Sequence, residues 1–97
     1  MEKNLTENIL TGLEKNEFKM YLQFIVDSKT QKIVSAEALS RWETPNEGIV
    51  GPIGYIGHME MTGLISMHDY YMFELACRQL EKWHNTKHND ILISCNF

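Results

Sequence analysis

Only two cysteines and two prolines occur in the 97 residues, and nine lysines and arginines stand against thirteen acidic residues. Each scarcity excludes something. Cys77 and Cys95 have no CxxC spacing and fall in separate apolar segments, so the chain is no disulfide scaffold, and free thiols acting as small hydrophobes in a reducing compartment are expected. With a net charge of -4 and no window rich in basic residues, neither long nucleic acid nor an anionic membrane surface is an expected partner. No apolar run reaches the roughly 18 residues of a membrane span. The opening "MEKNLTENIL" has acidic residues where a signal peptide needs a basic region and an apolar run, so a cytoplasmic setting is expected. Gly-rich phosphate loops, internal repeats, low-complexity tracts and a readable Ser/His/Asp arrangement are missing too. What is present is 43% hydrophobic residues, enough for one small core.

Leu5, Ile9, Leu10 and Leu13 recur at helical spacing among polar residues, predicting an amphipathic helix over 4–16. "FKMYLQFIVD" and "KIVSAEALSRW" are β-rich and separated by the polar "SKTQ", predicting an antiparallel hairpin of strands 18–27 and 32–42. "ETPNEGIVGP" holds both prolines and two glycines and reads as an irregular connection. Pro52 suits the first turn of a helix over 52–62, where its missing N–H costs nothing, and Gly63 suits a left-handed cap after it. "SMHD" has the Ser-x-x-acid form of a capped helix start. Phe73, Ala76, Cys77, Leu80 and Trp83 then give the apolar stripe of the longest helix, 66–85. "ILISCNF" is a last strand over 91–97, and the long crossover before it implies parallel pairing. The class is α/β, and such an order normally continues with further βα units.

Alternation along the second strand places Ser35, Glu37, Leu39 and Arg41 on one face and Val34, Ala36, Ala38 and Trp42 on the other. Glu37 and Arg41 are roughly 13 Å apart along a strand rising about 3.3 Å per residue, too far for a direct ion pair. Each needs a partner of its own, because an uncompensated ion in low dielectric is costly. A solvated sheet surface is the plain explanation, and a cleft beneath the small residues Ala36 and Ala38 is the functional one. In the last strand Leu92, Ser94 and Asn96 share a face, which puts Asn96 near a strand's C-terminal end, although an Asn there also suits a turn. Glu37 and Asn96 together are hard oxygen ligands of the kind Mg²⁺ or Mn²⁺ takes. His84 and His88 have helical spacing but no Glu follows the first. His58 and His68 have no visible partner, and the methionines at 59, 61, 67 and 72 read as core filler.

Six stretches together resemble the EAL domain, the bacterial phosphodiesterase module for cyclic di-GMP. "EFKMYLQFIVD" resembles its opening strand, "AEALSRW" its signature strand, and "GIVGPIGYI" its Pro-containing loop and helix start. "MTGLI" is similar to its Thr-Gly-Leu-Ile turn, "ACRQLEKW" to the following helix, and "ISCNF" to the strand with the Asn-x-Ser motif, all in the family's order. The resemblance implies a (β/α)₈ barrel with an antiparallel first strand. It implies that Glu37 and Asn96 hold a catalytic Mg²⁺ or Mn²⁺, that Arg41 contacts a substrate phosphate, and that Gln23 and Leu39 line the nucleotide site. Phe24 stands where the family has the proline of Gln-Pro-Ile, Gly57 where it usually has proline, and Met61 where a second acidic residue commonly stands.

A barrel of this kind takes about 250 residues, so 97 are expected to form its N-terminal segment, stopping after the third strand. Metal-dependent opening of cyclic di-GMP to the linear dinucleotide is then the activity of the complete domain, with the segment inactive alone. The alternative is a degenerate EAL module that binds cyclic di-GMP or a protein partner without catalysis. An open strand edge, or the family's dimerisation, offers routes to a homo-oligomer.

Overall fold

A computed structural model describes residues 4–95, and its sheet is assembled on one long strand, β2 (Ile33–Thr44). The strand β1 (Phe18–Val26) runs antiparallel along it, from Phe18 opposite Trp42 to Val26 opposite Ile33. The connecting turn is closed by the Asp27 carboxylate, which accepts from the backbone N–H of Lys29 (2.8 Å) and of Thr30 (3.0 Å). The register slips beside Val26, and Val34 drops out of the pairing as a bulge residue and stays exposed.

The opposite edge of β2 is shared by two short strands. β3 (Gly48–Val50) pairs antiparallel with Trp42–Thr44, and β4 (Leu92–Cys95) pairs parallel with Ser35–Ala38. β3 corrects the expectation of an irregular connection. Gly48, at φ 75°, turns the chain sharply enough for Ile49 and Val50 to return along β2. Among the described residues the outer edges of β1 and β4 have no strand beside them.

Three helices accompany the sheet. α1 (Leu5–Glu14) starts where the Asn4 side chain accepts from the Glu7 backbone N–H. The helix expected over 52–62 is two pieces, a 3-10 turn Pro52–Gly54 and α2 (Ile56–Thr62), broken at Tyr55, whose φ is -147°. Gly63, at φ 81°, ends α2 in the left-handed conformation. The longest helix, α3 (Ile65–Trp83), begins one residue before Ser66 and makes no side-chain cap, so the Ser-x-x-acid signal does not act there. Its buried stripe is His68, Met72 and Ala76. Of the expected stripe Ala76 is buried and Trp83 half-buried, whereas Phe73, Cys77 and Leu80 are exposed with Met61 and Met67. A histidine at the start of the true stripe conceals it from a count of apolar residues.

The core sits where α1, α2 and α3 meet the Phe18–Trp42 end of the hairpin. Phe18 is fully buried, stacks on Trp42 at 5.0 Å between centroids and meets Tyr55 edge-on at 5.2 Å; Ile9 and Met59 close the cluster. The polar edges of these rings are satisfied, with Trp42 Nε1–H donating to Glu17 Oε1 (3.0 Å) and the Tyr71 hydroxyl donating to the Phe18 carbonyl (2.9 Å). Thr6 Oγ1 and His58 Nε2, 2.7 Å apart, tie α1 to α2, giving His58 the partner that the sequence conceals.

Two predictions follow from this packing. A Cβ on Gly12 would lie 2.9 Å from Trp42 Nε1 and 3.0 Å from Phe18 Cε2. Gly12→Ala, which in an open helix would add stability, is therefore expected to lower it by about 1–3 kcal/mol in denaturant unfolding. At the hairpin turn, the two backbone donors hold the Asp27 carboxyl below the usual carboxylate range. A carboxyl depressed on folding contributes stability above its unfolded value and loses it as pH falls through its folded one. Amide-exchange protection at Lys29 and Thr30 should accordingly decline below about pH 4, and Asp27→Ala should flatten that dependence.

Candidate functional site

The β1–β2 register decides which side chains share a surface. It sets Gln23 opposite Glu37, Tyr21 opposite Leu39 and Lys19 opposite Arg41, while β4 sets Ser94 opposite Glu37 on the other side. Directly opposed residues point to the same face. Gln23, Glu37, Leu39 and Arg41 therefore lie on one surface, with Ser94 beside them. Asn96 falls outside the described residues. The reverse face of β2 carries Ala36, Ala38 and Trp42 into the core, all buried.

Glu37 is half-buried at the centre of three strands, with the oxygen-bearing side chains Gln23 and Ser94 on its two neighbours. That donor set suits a hard divalent cation, but only in part. Among the described residues no three His, Cys, Asp or Glu side chains converge, and one carboxylate is a fraction of the six or so oxygen ligands Mg²⁺ takes. α3 ends at Trp83, so His84 and His88 lose the helical spacing the sequence suggests, and His88 rests against the Trp83 ring at 6.2 Å.

Between the last residue paired to β4, Ala38, and the first paired to β3, Trp42, the far edge of β2 is open over Leu39–Arg41 among the described residues. A cavity of about 410 Å³ lies there, with Leu39, Arg41, Glu60 and Asp69 among the residues that line it. Arg41 Nη1 donates to the Ser40 carbonyl at 2.6 Å. On the polar face Tyr21 donates to Glu43 Oε2 (2.9 Å), a bond that raises the phenol above its ordinary value.

Sequence reasoning finds no Ser/His/Asp arrangement and no partner for His68; the structure supplies both. Ser40 Oγ lies 2.7 Å from His68 Nε2 and 2.6 Å from the Tyr55 hydroxyl, and His68 Nδ1 lies 3.1 Å from Asp69 Oδ1. His68 is 3% exposed and Tyr55 1%. Burial holds the Tyr55 hydroxyl above its ordinary value, against the Ser40 hydrogen bond and the Arg41 charge. The order of groups is that of a hydrolytic triad, but the serine oxygen is engaged from two sides by buried groups. A signal for this cluster does exist in the sequence: alternation already turns Ser40 inward, and a buried hydroxyl demands partners.

Comparison with known proteins bears on the same residues. The family model described as the EAL domain matches residues 6–97. The bifunctional diguanylate cyclase/cyclic di-GMP phosphodiesterase MucR of Pseudomonas aeruginosa is 30% identical over 92 residues, covering 95% of this chain and 13% of that protein. The cyclic di-GMP phosphodiesterase NbdA of the same organism is 28% identical over 95 residues, covering 98% of this chain and 12% of its own length. A solved MucR phosphodiesterase in complex with c-di-GMP superposes with a TM-score of 0.90 at 30% identity, over 96% of this chain and 38% of that one. The FimX EAL domain of Pseudomonas aeruginosa, bound to c-di-GMP, shares the fold with a TM-score of 0.80 at 16% identity, over 96% of this chain and 36% of that one. The chain spans about an eighth of the length of these curated relatives. Its α/β architecture, with an antiparallel first strand and a parallel pair behind a helical crossover, is part of the barrel those structures share, and the chain belongs to the EAL domain family.

Proposed function

We propose that this chain is the N-terminal part of a cyclic di-GMP phosphodiesterase, with Glu37 and Asn96 as its share of the divalent-metal site and Gln23, Leu39 and Arg41 as its contacts to the nucleotide. The observation that carries the reading is the register that sets Gln23 against Glu37 and runs Leu39 and Arg41 along the same surface. It is supported by the likeness to a phosphodiesterase solved with c-di-GMP. A bound Mg²⁺ or Mn²⁺ supplies charge neutralisation at a phosphodiester and a nucleophile available near neutral pH. The chain's own residues orient the substrate. The Arg41 guanidinium offers a planar pair of donors to a phosphate. Leu39 gives the cavity floor an apolar contact for a base, and the Gln23 amide offers both a donor and an acceptor beside the carboxylate.

The sparse donor set around Glu37 favours a segment without turnover of its own, and it equally suits a second reading, a module that binds cyclic di-GMP or a protein partner without hydrolysis. The open outer edges of β1 and β4 among the described residues are where further barrel strands or a second copy would pair. The cytoplasmic setting belongs to this proposal as well. No helix among the described residues is long and apolar enough to cross a membrane.

The 97-residue chain should show no hydrolysis of cyclic di-GMP with Mg²⁺ or Mn²⁺ when linear product is measured chromatographically; robust turnover would refute the assignment of inactivity. Within a complete EAL domain carrying this segment, Glu37→Ala should cut turnover by more than about a hundredfold, since loss of mere outer-shell support for a metal costs 10–100-fold. Retained turnover removes Glu37 from the metal site. Arg41→Lys should weaken cyclic di-GMP binding about tenfold in calorimetric titration, because a point charge replaces a bidentate fork.

A further inference from the structure

We infer that Tyr55, Ser40, His68 and Asp69 form a one-way hydrogen-bond relay that pins Leu39–Arg41 of β2 to α3 and positions Arg41 for an anionic ligand. The ligand half of this inference rests on Arg41 being a phosphate contact, as proposed above. Leu39–Arg41 is the only part of β2 between its two short neighbours, paired to β1 alone among the described residues. A binding side chain is placed accurately only where the backbone that carries it is held by contacts of its own. Ser40 provides the anchor, because its side chain reaches across to Tyr55 and α3 while its carbonyl takes the Arg41 guanidinium at 2.6 Å.

The direction of the relay follows from its two ends. An ionised Asp69 carboxylate only accepts, so His68 Nδ1 carries a hydrogen and donates to it across 3.1 Å. Among the described residues the Tyr55 hydroxyl has one polar partner, Ser40, and at 1% exposure its hydrogen must be used there. Tyr55 therefore donates to Ser40 Oγ, Ser40 donates to His68 Nε2, and the neutral ring accepts at Nε2 and donates at Nδ1. Every hydrogen is spent once. A doubly protonated ring would donate at both nitrogens, Ser40 Oγ would accept from His68 and Tyr55 alike, and the Ser40 hydrogen would be left without a partner among the described residues. The charged or titratable groups facing this ring and its cavity are Arg41 from β2, Tyr55 before α2, Glu60 on α2 and Asp69 on α3 itself. His68 is thus a positioning residue that acts through Ser40.

The test uses the ¹⁵N-labelled chain. Long-range nitrogen–proton correlation should place the His68 hydrogen on Nδ1 with Nε2 bare, and the Arg41 guanidinium should give resolved, slowly rotating signals. Ser40→Ala and His68→Leu should average the Arg41 signals. His68→Gln, whose amide oxygen still accepts from Ser40, should restore them, and Tyr55→Phe, the gentlest change, should loosen them in part. In cyclic di-GMP titrations the Ala and Leu variants should bind about five- to tenfold more weakly, as expected for loss of one hydrogen bond, with Gln recovering most of the difference. A hydrogen on Nε2, or Arg41 signals indifferent to folded Ser40→Ala and Tyr55→Phe, overturns the relay. A wild-type chain with the Nδ1 form and an ordered Arg41 that ignores cyclic di-GMP upholds the relay and sinks the ligand reading.

Discussion

The constraint on which this structure hangs is the period-two alternation of β2. One strand of twelve residues is hydrogen-bonded to three others, and its two faces have opposite chemistry. Ala36, Ala38, Ser40 and Trp42 turn toward the helices; Glu37, Leu39 and Arg41 turn away. A slip of one residue in the β1 register would turn β1 over, exposing Phe18 and taking Gln23 away from Glu37. The stacked pair Phe18 and Trp42 resists that slip at the end of the hairpin far from its turn, where the two rings are buried opposite each other. The register that serves the core is thereby the register that assembles the polar surface.

Small residues make this possible on the inward face. Ala36 and Ala38 are buried on that face, and α3 has Met72 and Ala76 in its own buried stripe. At Ser40, on the same inward face, packing gives way to polar contact. Ser40, His68, Tyr55 and Asp69 satisfy one another there, and no buried side-chain polar atom among the described residues lacks a partner. The polar surface is thus supported from behind, and Ser40, His68 and Asp69 also line the cavity beside Arg41.

Much of this was legible in the sequence because it obeys short-range periodicity. The hairpin, the faces of β2, the left-handed cap at Gly63 and the α/β order all follow from alternation, turn residues and helical spacing. The order of motifs around "AEALSRW" pointed to the EAL domain, which the family comparison bears out. What stayed hidden depends on contacts between residues far apart. The strand β3 is too short to announce itself within a Pro- and Gly-rich stretch. The helix start at Ile65 is set by the Gly63 turn and by packing, so the stronger local signal at Ser66 goes unused. His68 is polar by composition yet buried by position, so a count of apolar residues finds Ala76 on the buried face of α3 but not the rest of that face. The alignment of Gln23 with Glu37 required the cross-strand register, which the hairpin's bulge beside Val26 makes unreadable by counting from the turn.

If this chain contributes to a divalent-metal site, the cation engages it on the polar face of β2. Paramagnetic Mn²⁺ titrated into the ¹⁵N-labelled protein tests it residue by residue, since broadening reports proximity even when binding is weak. The predicted result is early loss of the amide signals of Gln23, Glu37 and Ser94, abolished in Glu37→Gln. Broadening centred on other carboxylates, with those three signals untouched, would contradict it.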